Sequence, residues 1–347
     1  MTYKFRQHAR IVFAAGLLGI LGLSAVAYAQ DAFVEPEEYT AGTIELPFDA
    51  ETDGITEMPA DVDLSDAPVS DSRVVIGEDE REPVLSRMFP WSAMGRLEWQ
   101  LEGEAISTCT ATLVGPDAIL TNSHCLILPL PNGEGEFVDT FVEPEDYPYL
   151  IAANESIELK LVFKPSLIDG VAFDEAEIMT YEAGWSSDYS HPKDDWAVLE
   201  LDQSLGNSYG FMGWRNLDFN DEAILEEAFE KINLLGYAGD FPTVALQEFG
   251  EPTETAGVDL ACSVLGIWPE GDPLEDTIVH DCDTNPGASG GPIFAKFADN
   301  QYYLVGLHAR STPLSRTVTL PNGVDTDVVN GGVTVERWQD AAARAAE

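Results

Sequence analysis

The stretch from Asp281 to Pro292 reads Asp-Cys-Asp-Thr-Asn-Pro-Gly-Ala-Ser-Gly-Gly-Pro and places Ser289 among glycines. Glycine lets a backbone turn sharply and approach a ligand closely, so this loop can present the Ser289 hydroxyl outward. The N–H groups of Gly287 and Ser289 can then point at one spot, where they would stabilise a negatively charged oxygen. A serine hydroxyl alone is a weak nucleophile, so this interpretation requires a base elsewhere in the chain.

Two upstream segments supply a candidate base and an acid to orient it. His124 ends the run Leu-Thr-Asn-Ser-His before Cys125, and Asp194 and Asp195 precede the apolar run Trp-Ala-Val-Leu. A buried aspartate would hold the imidazole tautomer and stabilise the imidazolium. Strand register decides which of the two aspartates points inward, and the residues alone leave that choice open. Taken singly, the three segments are also consistent with a turn, a packed histidine and a solvated carboxylate.

Together, in the order His124, Asp195 and Ser289, the segments resemble the trypsin/chymotrypsin-like serine proteases. That family has a His-Cys, an Asp before an apolar strand and a Gly-x-Ser-Gly-Gly-Pro in this order. The resemblance favours Asp195 over Asp194 and implies a catalytic triad with an oxyanion hole at Gly287 and Ser289. It also implies an all-β fold of two six-stranded antiparallel β-barrels with a C-terminal helix.

The residue pattern agrees with a β-barrel or sandwich. Residues 106–114 are rich in β-branched side chains, a Gly-Pro-Asp turn follows, and residues 118–121 form a second short apolar run. Several short strands with regular turns indicate this class. Further strands are predicted at residues 158–163, 176–181, 258–267, 277–282, 292–295 and 302–308, and helices at residues 221–232 and 333–346. The resemblance covers residues 74–347, with an N-terminal barrel over about 74–205 and a C-terminal barrel over about 206–335.

A closer resemblance is to the bacterial glutamyl endopeptidases. Their mature start is similar to Val-Ile-Gly-Glu-Asp-Glu-Arg at residues 75–81, and a further motif is similar to Leu-Leu-Gly-Tyr-Ala-Gly-Asp, which ends at Asp240. This resemblance implies that Val74 is the new N-terminus, although cleavage one residue later also fits, and that the new amine, Thr284 and His308 bind the glutamate side chain of the substrate. No aspartate stands at the position of Thr284, which disfavours a trypsin-like preference for Lys or Arg. Arg310 could add a cation at the pocket mouth.

The N-terminal region predicts export and processing. Lys4, Arg6 and Arg10 precede an apolar run that ends at Ala-Tyr-Ala, so residues 1–29 are predicted to be a signal peptide. Residues 30–73 are acidic with little apolar periodicity, which predicts a disordered pro-segment or a linker. We therefore predict a secreted protein, extracellular or periplasmic, with no membrane contact after signal removal. An activating protease would cut near Arg73, and the partner of the mature enzyme would be a protein or peptide substrate.

The chain has four cysteines, which allow three disulfide connectivities. The pairs Cys109–Cys125 and Cys262–Cys282 close short local loops and are preferred, and the first is similar to the histidine-loop disulfide of the family. No cysteine pair has the close spacing of a zinc site, so no metal site is predicted. No cofactor is predicted either. Calcium, which could offset clustered carboxylates, has no supporting motif.

The charge of the chain excludes one class of partner. The chain carries 62 acidic and 17 basic residues, a net charge of −45. Such a surface repels nucleic acid and anionic membranes.

Two other functions fit parts of the sequence. Residues 287–291 also match Gly-x-Ser-x-Gly, the nucleophile elbow of α/β-hydrolase esterases, which requires a following helix and the order Ser, Asp, His. A protease fold can also serve as an inactive binding module. A serine endopeptidase with a different specificity is the remaining alternative.

Overall fold

The protein is described by a computed structural model at residues 42–49, 52–57, 75–131, 136–154 and 158–346. These residues all belong to a single compact unit. The predicted signal peptide, Arg73 and Val74 lie outside them.

Strands dominate the described residues, as the short apolar runs predict. They are β1 Glu82–Pro83, β2 Met94–Leu101, β3 Glu104–Leu113, β4 Ala118–Thr121, β5 Ile127–Pro131, β6 Phe137–Phe141, β7 Lys160–Pro165, β8 Ala176–Ala183, β9 Ala197–Leu201, β10 Ile232–Gly236, β11 Gly257–Cys262, β12 Val264–Ile267, β13 Thr277–His280, β14 Pro292–Lys296, β15 Tyr302–Thr319 and β16 Asp325–Thr334. The α-helices are α1 Tyr147–Ala153, α2 Gly206–Tyr209, α3 Glu222–Ala228 and α4 Val335–Ala345. Within the described ranges, none of these helices is long and apolar enough to cross a membrane.

The N-terminal half contains a closed antiparallel barrel in the order β2-β3-β4-β9-β8-β7. Closure pairs every strand on both sides, so the barrel has no open edge. Its interior is filled by large side chains that different strands contribute: Leu97, Trp99, Leu113, Ile119, Phe163 and Leu199. This barrel confirms the first half of the predicted fold.

The C-terminal half forms one antiparallel sheet of eight strands, in the order β1-β11-β10-β14-β15-β16-β13-β12. The all-β class is confirmed, but this sheet has two strands more than the predicted six. One extra strand is β1, which comes from the N-terminal segment and pairs with β11. The other arises because the predicted strand 258–267 divides into β11 and β12. Ala261, with φ of 65°, bulges out of the ladder near this division.

The stretch between His124 and Asp195 contains structure that the sequence pattern did not predict. The predicted strands 158–163 and 176–181 correspond to β7 and β8, but β5 and β6 pair as a separate two-stranded sheet. Helix α1 packs on the barrel, where the Tyr147 hydroxyl donates to the Ile178 carbonyl at 2.8 Å.

The two predicted helices differ in how well their bounds were predicted. The Asp221 side chain accepts from the Ala223 N–H at 2.9 Å and caps the start of α3. α3 ends at Ala228 rather than at residue 232, because Glu230 has φ of 51° and β10 begins at Ile232. α4 is confirmed and buries Val335, Trp338, Ala341 and Ala342 along one face.

The prediction that residues 30–73 are disordered is wrong for the described residues 42–49 and 52–57. Ile44 is 0% exposed, belongs to the core of the C-terminal half and bridges Phe297 in parallel. Asp53 forms an ion pair with the buried Arg215 at 3.3 Å. We call residues 42–49 and 52–57 the N-terminal strap. Its acidic composition concealed these apolar and paired residues.

We expect Ile44→Ala to lower the free energy of unfolding by about 2–4 kcal/mol, because it removes a fully buried side chain and leaves a cavity. Guanidinium denaturation followed by tryptophan fluorescence would measure the loss. Ile55→Ala is the matched control in the same strap, since Ile55 is 74% exposed and its truncation should cost less than about 0.5 kcal/mol. Equal midpoints for the two variants would mean that the strap does not pack as described.

Candidate active site

His124 lies in a short 3-10 helix, Ser123–Leu126, directly after β4. The His124 Nδ1 lies 2.8 Å from Asp195 Oδ2, and the His124 backbone N–H donates to Asp195 Oδ1 at 3.1 Å. Asp195 is 1% exposed, so its carboxylate depends on these partners. The disulfide between Cys109 and Cys125 joins this helix to β3.

Of the two candidate aspartates, the structure brings Asp195 to His124 and turns Asp194 away. Asp194 accepts a hydrogen bond from the Tyr189 hydroxyl at 2.5 Å and lies 3.8 Å from Arg337 of α4. The end of the 3-10 helix Pro192–Asp194, shortly before β9, therefore decides the choice that the residues alone left open.

The loop that carries Ser289 is attached to the strands that lead to His124. The Thr110 N–H donates to the Ser289 carbonyl at 2.8 Å, and the Thr110 hydroxyl donates to the Gly287 carbonyl at 3.0 Å. Gly290 has φ of 79°, and a Cβ there would lie 2.2 Å from the Thr110 carbonyl and from the Thr121 hydroxyl. Only glycine fits this close approach, which sets Ser289 beside the end of β4.

The polar atoms that would react at this site make no hydrogen bonds to the described residues. Neither the N–H of Gly287 nor that of Ser289 donates a hydrogen bond to a described residue. Within the same residues, Ser289 Oγ and His124 Nε2 also have no hydrogen-bond partner. The hydrogen bond between a catalytic serine and its histidine is often long without substrate and shortens when substrate binds.

The predicted pocket residues Thr284 and His308 are brought together. Thr284 Oγ1 lies 3.2 Å from His308 Nε2, and His308 Nδ1 lies 3.1 Å from His280 Nε2. Burial lowers the pKa of His308 well below its usual value, and electrostatic interactions with His280, His124 and Arg310 lower it further. Burial also lowers the pKa of His280 to about 3, so both imidazoles are neutral at ordinary pH.

His280 was missed by the sequence reasoning. It ends β13 and is fully buried, but nothing in the surrounding residues marks it as a partner of His308. Trp185 was missed in the same way, and its ring centroid lies 6.3 Å from that of His124.

Asp283, directly before Thr284, holds the N-terminal segment. Its carboxylate accepts from the Ile76 N–H at 2.8 Å and from the Glu80 N–H at 3.0 Å. Burial raises the pKa of Asp283 to about 6. Val74 itself is outside the described residues, but Ile76 is thereby fixed close to Thr284.

The two motifs that resemble glutamyl endopeptidases are joined to each other. Arg81, the last residue of the first motif, forms an ion pair at 3.0 Å with Asp240, the last residue of the second. Arg81 also pairs with Asp79 at 2.9 Å. The predicted mature start is therefore fastened to the C-terminal half.

Both preferred disulfides are present, Cys109–Cys125 and Cys262–Cys282. In the described part of the chain, two groups of His, Cys and carboxylate atoms lie within 4.8 Å of one another, and each contains both sulfurs of one disulfide. A disulfide sulfur is not a thiolate, and the thiolate is the metal ligand, so neither group suits a metal ion.

Carboxylates line a cavity of about 330 Å³ behind Asp283. Among them, Asp259 Oδ2 accepts from the Asp283 N–H at 2.6 Å, whereas Asp259 Oδ1 is buried without a partner. Burial raises the pKa of Asp259 well above its usual value, and the charge of Asp283 raises it further.

Arg310 does not point into the pocket mouth. Its Nη2 donates to Asp195 Oδ2 at 3.0 Å and to the Pro192 carbonyl at 3.1 Å. The same carboxylate oxygen therefore contacts both His124 and Arg310.

The chain is similar to one protein family and to known peptidases. The trypsin-like peptidase domain matches residues 109–307. The glutamyl endopeptidase of Bacillus licheniformis is 24% identical over 230 residues, which cover 63% of this chain and 54% of that protein. The chain thus spans about half the length of this relative.

A solved structure of a Glu endopeptidase in complex with MPD covers 78% of this chain and 100% of its own, with 23% identity and a TM-score of 0.49. The family match spans more than half of the 347 residues and includes His124, Asp195 and Ser289. The chain therefore belongs to the trypsin-like peptidase family.

Proposed function

We propose that this protein is a secreted serine endopeptidase that uses His124, Asp195 and Ser289 and prefers glutamate before the scissile bond. The observation that carries the proposal is the 2.8 Å contact between His124 Nδ1 and the buried Asp195, beside the anchored Ser289 loop. Family membership supports peptide-bond hydrolysis as the reaction.

The proposed reaction proceeds by acyl transfer. His124 Nε2 takes the proton of Ser289 Oγ while that oxygen attacks the peptide carbonyl, and Asp195 stabilises the imidazolium that forms. The free N–H groups of Gly287 and Ser289 donate to the developing oxyanion. His124 then gives the proton to the leaving amine, and water repeats the sequence to release the acid.

The proposed glutamate preference rests on Thr284, His308 and the segment that Asp283 holds. A Thr284 hydroxyl and a His308 imidazole can both donate to a carboxylate, and His280 lies within hydrogen-bond distance on the far side of His308. Asp283 is unsuited to binding a basic side chain, because both of its oxygens accept backbone N–H groups. The relative is named for the same glutamyl specificity.

Because His308 is neutral in the free protein, a bound carboxylate would draw a proton onto it. His280 Nε2, 3.1 Å away, could share that proton within the buried pair. Glutamate binding would then be coupled to proton uptake.

An esterase of the α/β-hydrolase type is disfavoured. The residues after Ser289 enter strand β14, whereas the nucleophile elbow of that fold leads into a helix.

We also propose export and maturation at Arg73. The two disulfides are consistent with an oxidising compartment. The strap contacts of Ile44 and Asp53 are internal to the C-terminal half, so the strap would stay bound after the cut.

Ser289→Ala and His124→Ala should each lower kcat on the order of a million-fold, because the nucleophile and its base act as a unit. Hydrolysis of a fluorogenic peptide and labelling by a fluorophosphonate would measure this. Ser204→Ala, at an exposed serine, is the control and should keep full activity. Retained proteolysis in either site variant would exclude the triad, and an unlabelled wild-type Ser289 would favour the inactive binding module.

Digestion of an unfolded proteome by the mature protein should give cuts mainly after Glu, read by mass spectrometry. Thr284→Val keeps the side-chain volume but removes a hydrogen bond to the carboxylate, so the preference for Glu over Gln should fall about tenfold. Thr319→Val, the same change at an exposed threonine, is the control. Wild-type cuts after apolar or basic residues would keep the protease and discard the carboxylate pocket.

The Glu preference should also weaken as pH rises. The bound carboxylate raises the pKa of His308 from a value that burial holds low, so binding takes up a proton and becomes weaker when protons are scarce, by up to about tenfold per pH unit. The measurement is the ratio of kcat/KM for matched Glu and Gln peptides between pH 6 and 9. The pH dependence of the triad affects both peptides equally and drops out of this ratio. A constant ratio would mean that His308 binds the carboxylate without proton uptake.

A further inference from the structure

We propose that Arg310 is a positioning residue of the active site, which holds the Asp195 carboxylate and weakens the general base. The inference rests on the proposed triad and assigns to Arg310 a role in rate and pH dependence rather than in substrate recognition.

The geometry places two donors on one oxygen. Asp195 Oδ2 contacts His124 Nδ1 at 2.8 Å and Arg310 Nη2 at 3.0 Å. The same Nη2 donates to the Pro192 carbonyl, which belongs to the loop that leads to Asp195. The guanidinium therefore clamps both the carboxylate and the backbone just before it.

The fold holds the guanidinium in this place. Arg310 lies on β15 opposite Gly331 of β16, and a Cβ at Gly331 would be 3.4 Å from the Arg310 Cγ. The arginine stem thus passes over a position without a side chain. The Arg310 side chain is 22% exposed and that of Asp195 is 2% exposed, so solvent screens this ion pair only in part.

Among the described residues, Arg310 is the arginine that forms an ion pair with Asp195. Two charged residues directly before Asp195 have other partners. Asp194 pairs with Arg337 of α4, and Lys193 pairs with Glu275 and Asp276. The other titratable groups around Asp195 are Arg310 and the neutral His308 on β15, and His124 after β4.

A fixed cation on Asp195 opposes a second cation on His124. The imidazolium that forms during acyl transfer shares Oδ2 with the guanidinium and is repelled by it. The guanidinium therefore opposes positive charge on His124 while it holds the Asp195 carboxylate in place. If the guanidinium is removed, His124 should become a stronger base at high pH. As pH falls, His124 should then take up a proton at a higher pH than in the wild type.

The test is the pH profile of kcat/KM for Arg310→Gln, Arg310→Lys and the wild type with matched Glu and Gln peptides. For Arg310→Gln we expect the acid limb to move up by about one pH unit, with equal KM changes for the two peptides. Arg310→Lys keeps the charge and should keep the limb close to the wild-type position. Arg337→Gln removes a neighbouring arginine that contacts Asp194 instead, and its limb should not move.

If the acid limb of the kcat/KM profile does not move in Arg310→Gln, the proposal is overturned. A KM increase confined to Glu peptides would overturn it too, because it would make Arg310 a pocket cation. If Arg310→Gln does not fold, Arg310→Met, which keeps the aliphatic stem, takes its place.

A second readout separates this proposal from the proposed enzyme activity. In Ser289→Ala protein, NMR titration of the His124 ring needs no turnover, and its midpoint should rise by a similar amount when Arg310→Gln is added. A wild type without proteolysis but with this NMR shift would refute the enzyme and keep the Arg310–Asp195–His124 coupling. Proteolysis by the wild type without this NMR shift would support the enzyme and refute the Arg310–Asp195–His124 coupling.

Discussion

The buried carboxylate of Asp195 is the constraint on which the rest of the site depends. An ionised group at 1% exposure is tolerated only with several hydrogen-bond partners, and Asp195 has the N–H and imidazole of His124 together with Arg310. The barrel supplies the first two, because β4 and β9 pair with Thr121 opposite Ala197. His124 and Asp195 each lie a few residues beyond that pair.

The two halves of the protein contribute different parts of the same site. His124 and Asp195 come from the N-terminal barrel, while Ser289, Thr284 and Arg310 come from the eight-stranded sheet. Thr110 connects them, because its N–H and hydroxyl both bind the loop of Ser289 and its carbonyl accepts from Thr121. Relative movement of the halves would break these bonds, so the site requires both halves to be packed together.

The sequence was sufficient where chemistry is encoded in a short run. The Ser289 loop, the His124 segment, both disulfides, the barrel strands β3, β4, β7 and β8, and α4 could each be predicted from local residues. The second partners of His308 and Asp195 could not, because His280 and Arg310 reach them through sheet pairings that leave no local pattern. The N-terminal strap was misjudged for a related reason: its average composition is acidic, but Ile44 and Asp53 are among the residues that hold it in place.

The imbalance of 62 acidic and 17 basic residues gives the few internal arginines a particular importance. Arg81 fastens the predicted mature start to Asp240, Arg215 holds the strap through Asp53, and Arg310 holds Asp195. Since these cations are engaged internally, the long-range field of the protein stays negative and opposes an acidic peptide until it comes within about 10 Å at 0.1 M salt. The proposed selection of glutamate would then have to come from short-range donors, such as the Thr284 hydroxyl and the His308 imidazole.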